Sequence, residues 1–202
     1  MSTVNLKLYT GEVERVKVGN MIPEYSFSKR TDILSASIPE GVTTIGLGAF
    51  SGCHSLVSIA FPEGMTTIGM HAFDCCVSLT SVSIPEGVTT IGHWAFRCCD
   101  SLTSVKIPEG VTTIGHWAFS PCAFLTEITL HDGVVTIGDN AFDPLTTVLV
   151  RMSWSLENFK RCDKASRARV RTILLCLCRL EIPIVVQRTI LGFLDLTRVL
   201  EI

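Results

Sequence analysis

LTSVSIPEGVTTIGHWAFRCCDS, residues 79–101, is followed at once by LTSVKIPEGVTTIGHWAFSPCAF, residues 102–124. The register extends outward from this tandem pair. Pro39, Pro62, Pro85 and Pro108 stand 23 residues apart, each followed by Glu-Gly, and His131, Asp132 and Gly133 occupy the same places once more. Ile45, Ile68, Ile91, Ile114 and Ile137 keep the period, as do Phe50, Phe73, Phe96, Phe119 and Phe142, and the cysteines Cys53, Cys76, Cys99 and Cys122. A fixed period of this length marks units that cannot bury an apolar face alone and do so by stacking. A weaker copy comes first, with Ile22, Phe27 and Ile33 in the Ile, Phe and Leu registers. The last copy is shortened, so that Leu145 and Val148 arrive three residues early.

Each copy divides into pieces with a physical reading. Leu79, Val82 and Ile84 give the spacing Leu-x-x-Val-x-Ile, which alternates side chains as a short strand does. Pro then closes the strand because it has no N–H for a ladder, and Glu-Gly supplies a turn whose glycine is free to take positive φ. Val-Thr-Thr-Ile is β-branched throughout and predicts a second short strand. Stacked at roughly 5 Å, the spacing of hydrogen-bonded strands, each Ile and each Phe meets its own equivalent above and below.

This unit, Leu-x-x-Val/Ile-x-Ile with Pro-Glu-Gly, Val-Thr-Thr-Ile-Gly and Ala-Phe-x-x-Cys, resembles the BspA-type branch of the leucine-rich repeats over residues 16–150. The resemblance implies a repeat solenoid with short parallel strands in a curved, concave sheet and with turns and short strands on the convex side. Residues 1–15 are then an N-terminal cap and 151–202 a basic helical C-terminal segment that caps the last coil.

Composition supports two unlike regions. The chain has 202 residues, 47% apolar and 18% charged, with a net charge of only −2. Residues 1–150 hold 7 Lys+Arg against 14 Asp+Glu, whereas residues 151–202 hold 10 against 5. A basic tail beside an acidic body favours docking against the body over nucleic acid, which is not expected as a partner. No apolar stretch reaches the roughly 18 residues of a membrane span. The first residues carry no apolar run of a secretory signal, so a cytosolic or nuclear protein is expected, with its nine cysteines reduced.

Candidates for chemistry resolve into structure. The cysteines lack Cys-x-x-Cys spacing with converging histidines, so no metal or cofactor is predicted, and Cys53, Cys76, Cys99 and Cys122 read as small buried hydrophobes. Cys75 and Cys98 are less constrained. His93-Trp94 and His116-Trp117 suit a planar or cationic ligand, but their register falls on a convex turn, where aromatic packing between coils is the expectation. Glu40, Glu63, Glu86, Glu109 and Asp132 predict a solvated acidic edge. No nucleophile elbow or phosphate loop occurs, which points away from an enzyme.

What remains is the row of outward residues on the concave strands: Ser58, Ser81, Ser83, Ser104, Lys106, Glu127 and Thr129, with Ala60 among them. They are small and polar, suited to a protein or peptide partner. In the tail, Val170, Ile173, Leu174, Leu177 and Leu180 recur at helical spacing behind Asp163, a helix cap, and Pro183 predicts a second helix to about Leu196. Ile182-Pro183, Val186, Ile190-Leu191, Phe193-Leu194 and Leu196 resemble the opening of an F-box, which implies a ubiquitin-ligase core as partner through residues 181–202. The BspA resemblance implies a third role, a cell-surface adhesin. The leading expectation is a non-enzymatic interaction scaffold.

Overall fold

The computed structural model describes residues 2–131, 133–151 and 184–186. Within them the repeat is a solenoid of parallel β-coils, and each 23-residue copy contributes two strands. On the back side lie two-residue strands made by the Thr-Ile pairs and their first counterpart: β3 (Met21–Ile22), β5 (Thr44–Ile45), β7 (Thr67–Ile68), β9 (Thr90–Ile91), β11 (Thr113–Ile114) and β13 (Thr136–Ile137). They join in one six-stranded parallel sheet in which Ile45 pairs with Ile68 and Ile68 with Ile91.

The front side carries the longer strands β4 (Ile33–Ser37), β6 (Ser58–Ala60), β8 (Ser81–Ser83), β10 (Ser104–Lys106), β12 (Glu127–His131) and β14 (Thr147–Arg151). Hydrogen bonding divides them into β4–β6 and β8–β10–β12–β14. The Thr80 N–H donates to the Val57 carbonyl at 3.2 Å across that division.

Stacking turns the sequence period into unbroken columns. Phe27, Phe50, Phe73, Phe96, Phe119 and Phe142 lie ring on ring with centroids 4.9 to 5.9 Å apart. All six are buried, as are the Ile and Leu columns beside them. The cysteine column has a polar task as well. The thiols of Cys53, Cys76, Cys99 and Cys122 donate to the carbonyls of Phe27, Phe50, Phe73 and Phe96, 26 residues back, at 3.0 to 3.2 Å. A small apolar residue with one weak donor fits a site that is otherwise dry.

Glycine after Ile is required for a reason other than turn formation. A Cβ on Gly69, Gly92, Gly115 or Gly138 would stand 2.3 to 2.6 Å from the backbone of the preceding coil, so side chains are excluded by close approach. Among the Pro-Glu-Gly glycines, only Gly41 takes a positive φ, +86°. Gly87 and Gly110 instead face backbone oxygens at 2.7 and 2.5 Å, which corrects the turn-based expectation for them.

The two ends depart from the repeat. At the start, β1 (Ser2–Leu8) and β2 (Val13–Val18) form an antiparallel hairpin, and β1 pairs antiparallel with β4. Val4 and Leu6 are fully buried against the first coil. At the other end β14 pairs with β12 at an offset of 20 residues, Ile128 opposite Val148. Leu145 does not take the Leu column as expected. It is 88% exposed, while Thr146 is buried and its hydroxyl donates to the Leu125 carbonyl at 2.7 Å. The Asp143 side chain accepts the Leu145 N–H, and this tight turn after Pro144 swings Leu145 outward.

The helix expected to begin at Pro183 is corrected at its opening. Residues β15 (Ile184–Val186) form a strand parallel to β14, with Val148 opposite Ile184. Three β-branched residues complete the exposed ladder of β14, and that edge outweighs the proline start signal. The F-box-like reading loses its first helical turn there. Its remaining residues, the helix capped by Asp163 and the rest of the helical cap lie outside the described residues.

Candidate functional site

The front face is built by alternation. In β8 and β10, Val82 and Val105 turn inward, which leaves Ser81, Ser83, Ser104 and Lys106 exposed. Ser104 lies opposite Ser81 and Lys106 opposite Ser83. On β12, Ile128 is buried, Glu127 is exposed and Thr129 is half-buried beside Lys106. Ser58 and Ala60 are exposed on β6, opposite Ser35 and Ser37 of β4. The predicted residues thus share one side of the molecule, but Ser58 belongs to the first hydrogen-bonded group and the others to the second.

The Lys106 ammonium lies 3.3 Å from Glu86, both well exposed, a contact that solvent screens. Glu40, Glu63 and Glu109 of the same acidic edge are exposed too, and Asp132 lies outside the described residues.

Sequence reasoning missed the other end of this face. A shallow groove of about 300 Å³ is lined by Asn5, Lys7, Val13, Ser35, Ala36, Ser37, Ser58, Ile59 and Ala60. Its wall is the hairpin, whose side chains continue the front face because cross-strand partners point the same way. Period-two alternation in Thr3, Asn5 and Lys7 against Val4, Leu6 and Leu8 was the available signal.

The other candidates are packing. The His71 ring stacks on Trp94 at 4.9 Å and 6°, and His93 on His116 at 4.9 Å. His93 and His116 accept, through Nδ1, the backbone N–H of His116 and Asp139 one coil on, at 2.9 and 2.7 Å. Tyr25, Gly48, His71, Trp94, Trp117 and Asn140 share one corner at φ between 53° and 58°. That conformation is uncommon for bulky residues, and the stacked rings help offset it.

Asp74 beneath this corner is buried and takes two hydrogen bonds from Arg97, at 2.9 and 3.2 Å, and a contact with His71 Nδ1 at 2.9 Å. Burial pushes its carboxyl up, and the bonds from Arg97 and His71 outweigh this and hold it below the ordinary 3.8. Since Arg97 comes 23 residues later, the pair ties two coils together.

Five of the cysteines are poor nucleophiles. Burial pushes the Cys53 thiol up to about 11 and Cys122 to about 12, and it raises Cys76 and Cys99 well above the ordinary range. Cys75 is also pushed up to about 11, by burial and by the neighbouring Asp74 carboxylate. The nucleophilic thiolate is scarce at neutral pH for all of them. Among the described residues, no three His, Cys, Asp or Glu side chains are grouped to hold a metal ion, and no helix is long and apolar enough to cross a membrane.

Comparison with known proteins agrees with the repeat. Residues 20–148 match the BspA type leucine rich repeat region in 6 copies. A leucine-rich-repeat protein of T. pallidum is 30% identical with a TM-score of 0.54, over 64% of this chain and 66% of that one. The chain therefore spans just under two thirds of that protein's length. The pneumococcal vaccine antigen PcpA has the same fold, with a TM-score of 0.57 at 17% identity, over 83% of this chain and 40% of that one. A leucine-rich cell surface protein of Faecalibacterium prausnitzii is 27% identical with a TM-score of 0.44, over 66% of this chain and 46% of that one. No curated protein matches. With its copies matched from residue 20 to 148, the chain belongs to the BspA-type leucine-rich-repeat family.

Proposed function

We propose that this protein is a non-enzymatic scaffold that binds a protein or peptide across its front face. The observation that supports this is the in-register row Ser81, Ser83, Ser104, Lys106, Glu127 and Thr129, held outward by buried apolar neighbours on rigid strands. Small side chains on a strand ladder leave room for a partner's larger ones, and little side-chain entropy is lost by the serines on contact. Raised thiol pKa values and a buried, ion-paired Asp74 argue in the same direction, because neither presents a reactive group to a substrate.

The test is affinity capture from the native cell with wild type and with the Lys106→Glu, Glu127→Lys double variant. The bound set is expected to change, since both side chains are exposed and neither supports the core. An identical set would move the binding site off β10 and β12.

A further inference from the structure

The hairpin end of the front face gathers three exposed cations on one side. Of the seven Lys and Arg in residues 1–150, three lie on it: Lys7, Arg15 and Lys17. All three are exposed, and alternation sends them to one side. Arg15 lies opposite Asn5, Lys17 opposite Thr3, and Lys7 opposite both Val13 and Ser35. Glu14, between the cations in sequence, points to the other side and is held by Arg30 at 2.7 Å. Glu12 sits in the hairpin turn and Glu40 beyond Pro39, off the strands. Arg30, Arg97 and Lys106 each have a carboxylate partner, whereas Lys7, Arg15 and Lys17, like Lys29 elsewhere, have none among the described residues.

Lys7 lines the groove of about 300 Å³ together with Asn5, Ser35, Ser37, Ser58 and Ala60, and Arg15 and Lys17 stand on the outer strand, Arg15 opposite Asn5 and Lys17 opposite Thr3. The groove's exposed lining is mostly apolar, with Val13, Ile59 and Ala60 contributing, and it carries the hydroxyl groups of three serines, the Asn5 amide and no aromatic ring. Without a ring there is no stacking platform for bases, which argues against nucleic acid as occupant. Hydroxyls and a side-chain amide suit the amide groups of a peptide, and three unpaired cations suit its carboxylates.

We infer that the hairpin end of the front face, bounded by Lys7, Arg15 and Lys17, is a docking groove for an extended acidic peptide segment of a partner protein. This deepens the scaffold reading and rests on it. It adds a contact on β1, β2, β4 and β6 to the row on β8, β10 and β12.

The experiment is fluorescence anisotropy of a labelled alternating Glu-Thr peptide of about ten residues with the full chain, an extended length that covers several strands. The peptide should bind, and a Lys-Thr peptide should not. Raising salt should weaken binding, and Lys7→Glu, Arg15→Glu, Lys17→Glu should weaken it by about tenfold or more. Lys29→Gln, at an exposed cation off the front strands, should leave it unchanged. If the reversal variant does not fold by circular dichroism, Lys7→Gln, Arg15→Gln, Lys17→Gln serves in its place.

Equal binding of the Lys-Thr peptide, no binding of the Glu-Thr peptide, or an unaltered affinity in the hairpin variant would each overturn the inference. So would tighter binding of an RNA oligonucleotide, or self-association of the variant with peptide affinity intact, which would leave Arg15 and Lys17 as guards of the sheet edge. If capture from the cell depends on Lys106 and Glu127 but not on the hairpin, the scaffold reading stands and this inference falls. Dependence on neither removes both.

Discussion

The coils and the hairpin bury apolar surface by different means, and the difference decides where information sits on the surface. In residues 20–148 each side chain packs against its own equivalent, so every coil repeats the geometry of the last. Such an array is stable through neighbour contacts, but its outward row varies little: Ser104 stands over Ser81, and Lys106 over Ser83 is the one change between β8 and β10. The hairpin at Ser2–Val18 has no equivalent to stack on. It pairs antiparallel, buries Val4 and Leu6 on the first coil and is free to carry unlike charges on its two sides.

Removing one ring from the Phe column breaks the comparison most strongly. Phe96→Ala should cost about 3 to 5 kcal/mol in urea unfolding, because the rings at 5.2 Å on both sides cannot close the void. Leu6→Ala, equally buried in the hairpin, should cost about 2 to 4 kcal/mol. If the two ends unfold separately, that loss will appear in a local transition that leaves the Phe column's transition in place, as followed by hydrogen exchange.

Gly92→Ala should cost about 1 to 3 kcal/mol, since its Cβ would meet the Met70 backbone at 2.6 Å. Gly64→Ala, with open space around it, should stay within about 0.5 kcal/mol of wild type by the same measurement. A similar cost at both positions would remove the close-approach account of the glycine column.

The smallest effect is pH-dependent. The Asp74 carboxyl is held below 3.8, so its contribution is present above that value and fades as pH falls through the lower folded-state value. Wild type should therefore lose stability relative to Asp74→Asn as pH falls below about 4, measured by thermal melts, and parallel curves would deny the Arg97 and His71 pairing its role.

Much of this was legible from residues alone, and the exceptions have causes. The columns of Phe50, Ile45 and Cys53 follow from their period, and the outward positions Ser81, Ser83 and Lys106 follow from alternation about Val82 and Val105. Leu145 and Ile184–Val186 were misplaced because both lie where the period fails. One obeys a turn set by Asp143, and the other obeys a vacant strand edge on β14.

Sequence by itself determined the repeat and what each copy buries, because identical units at a fixed period have one way to satisfy every coil at once. The tertiary structure decided the ends. Antiparallel pairing of β1 with β4, which no period encodes, carries Lys7, Arg15 and Lys17 onto the same side as Ser35 and Ser58. Pairing between strands of unlike sequence depends on which edge stands open after the coils have stacked, and only the assembled chain supplies that edge.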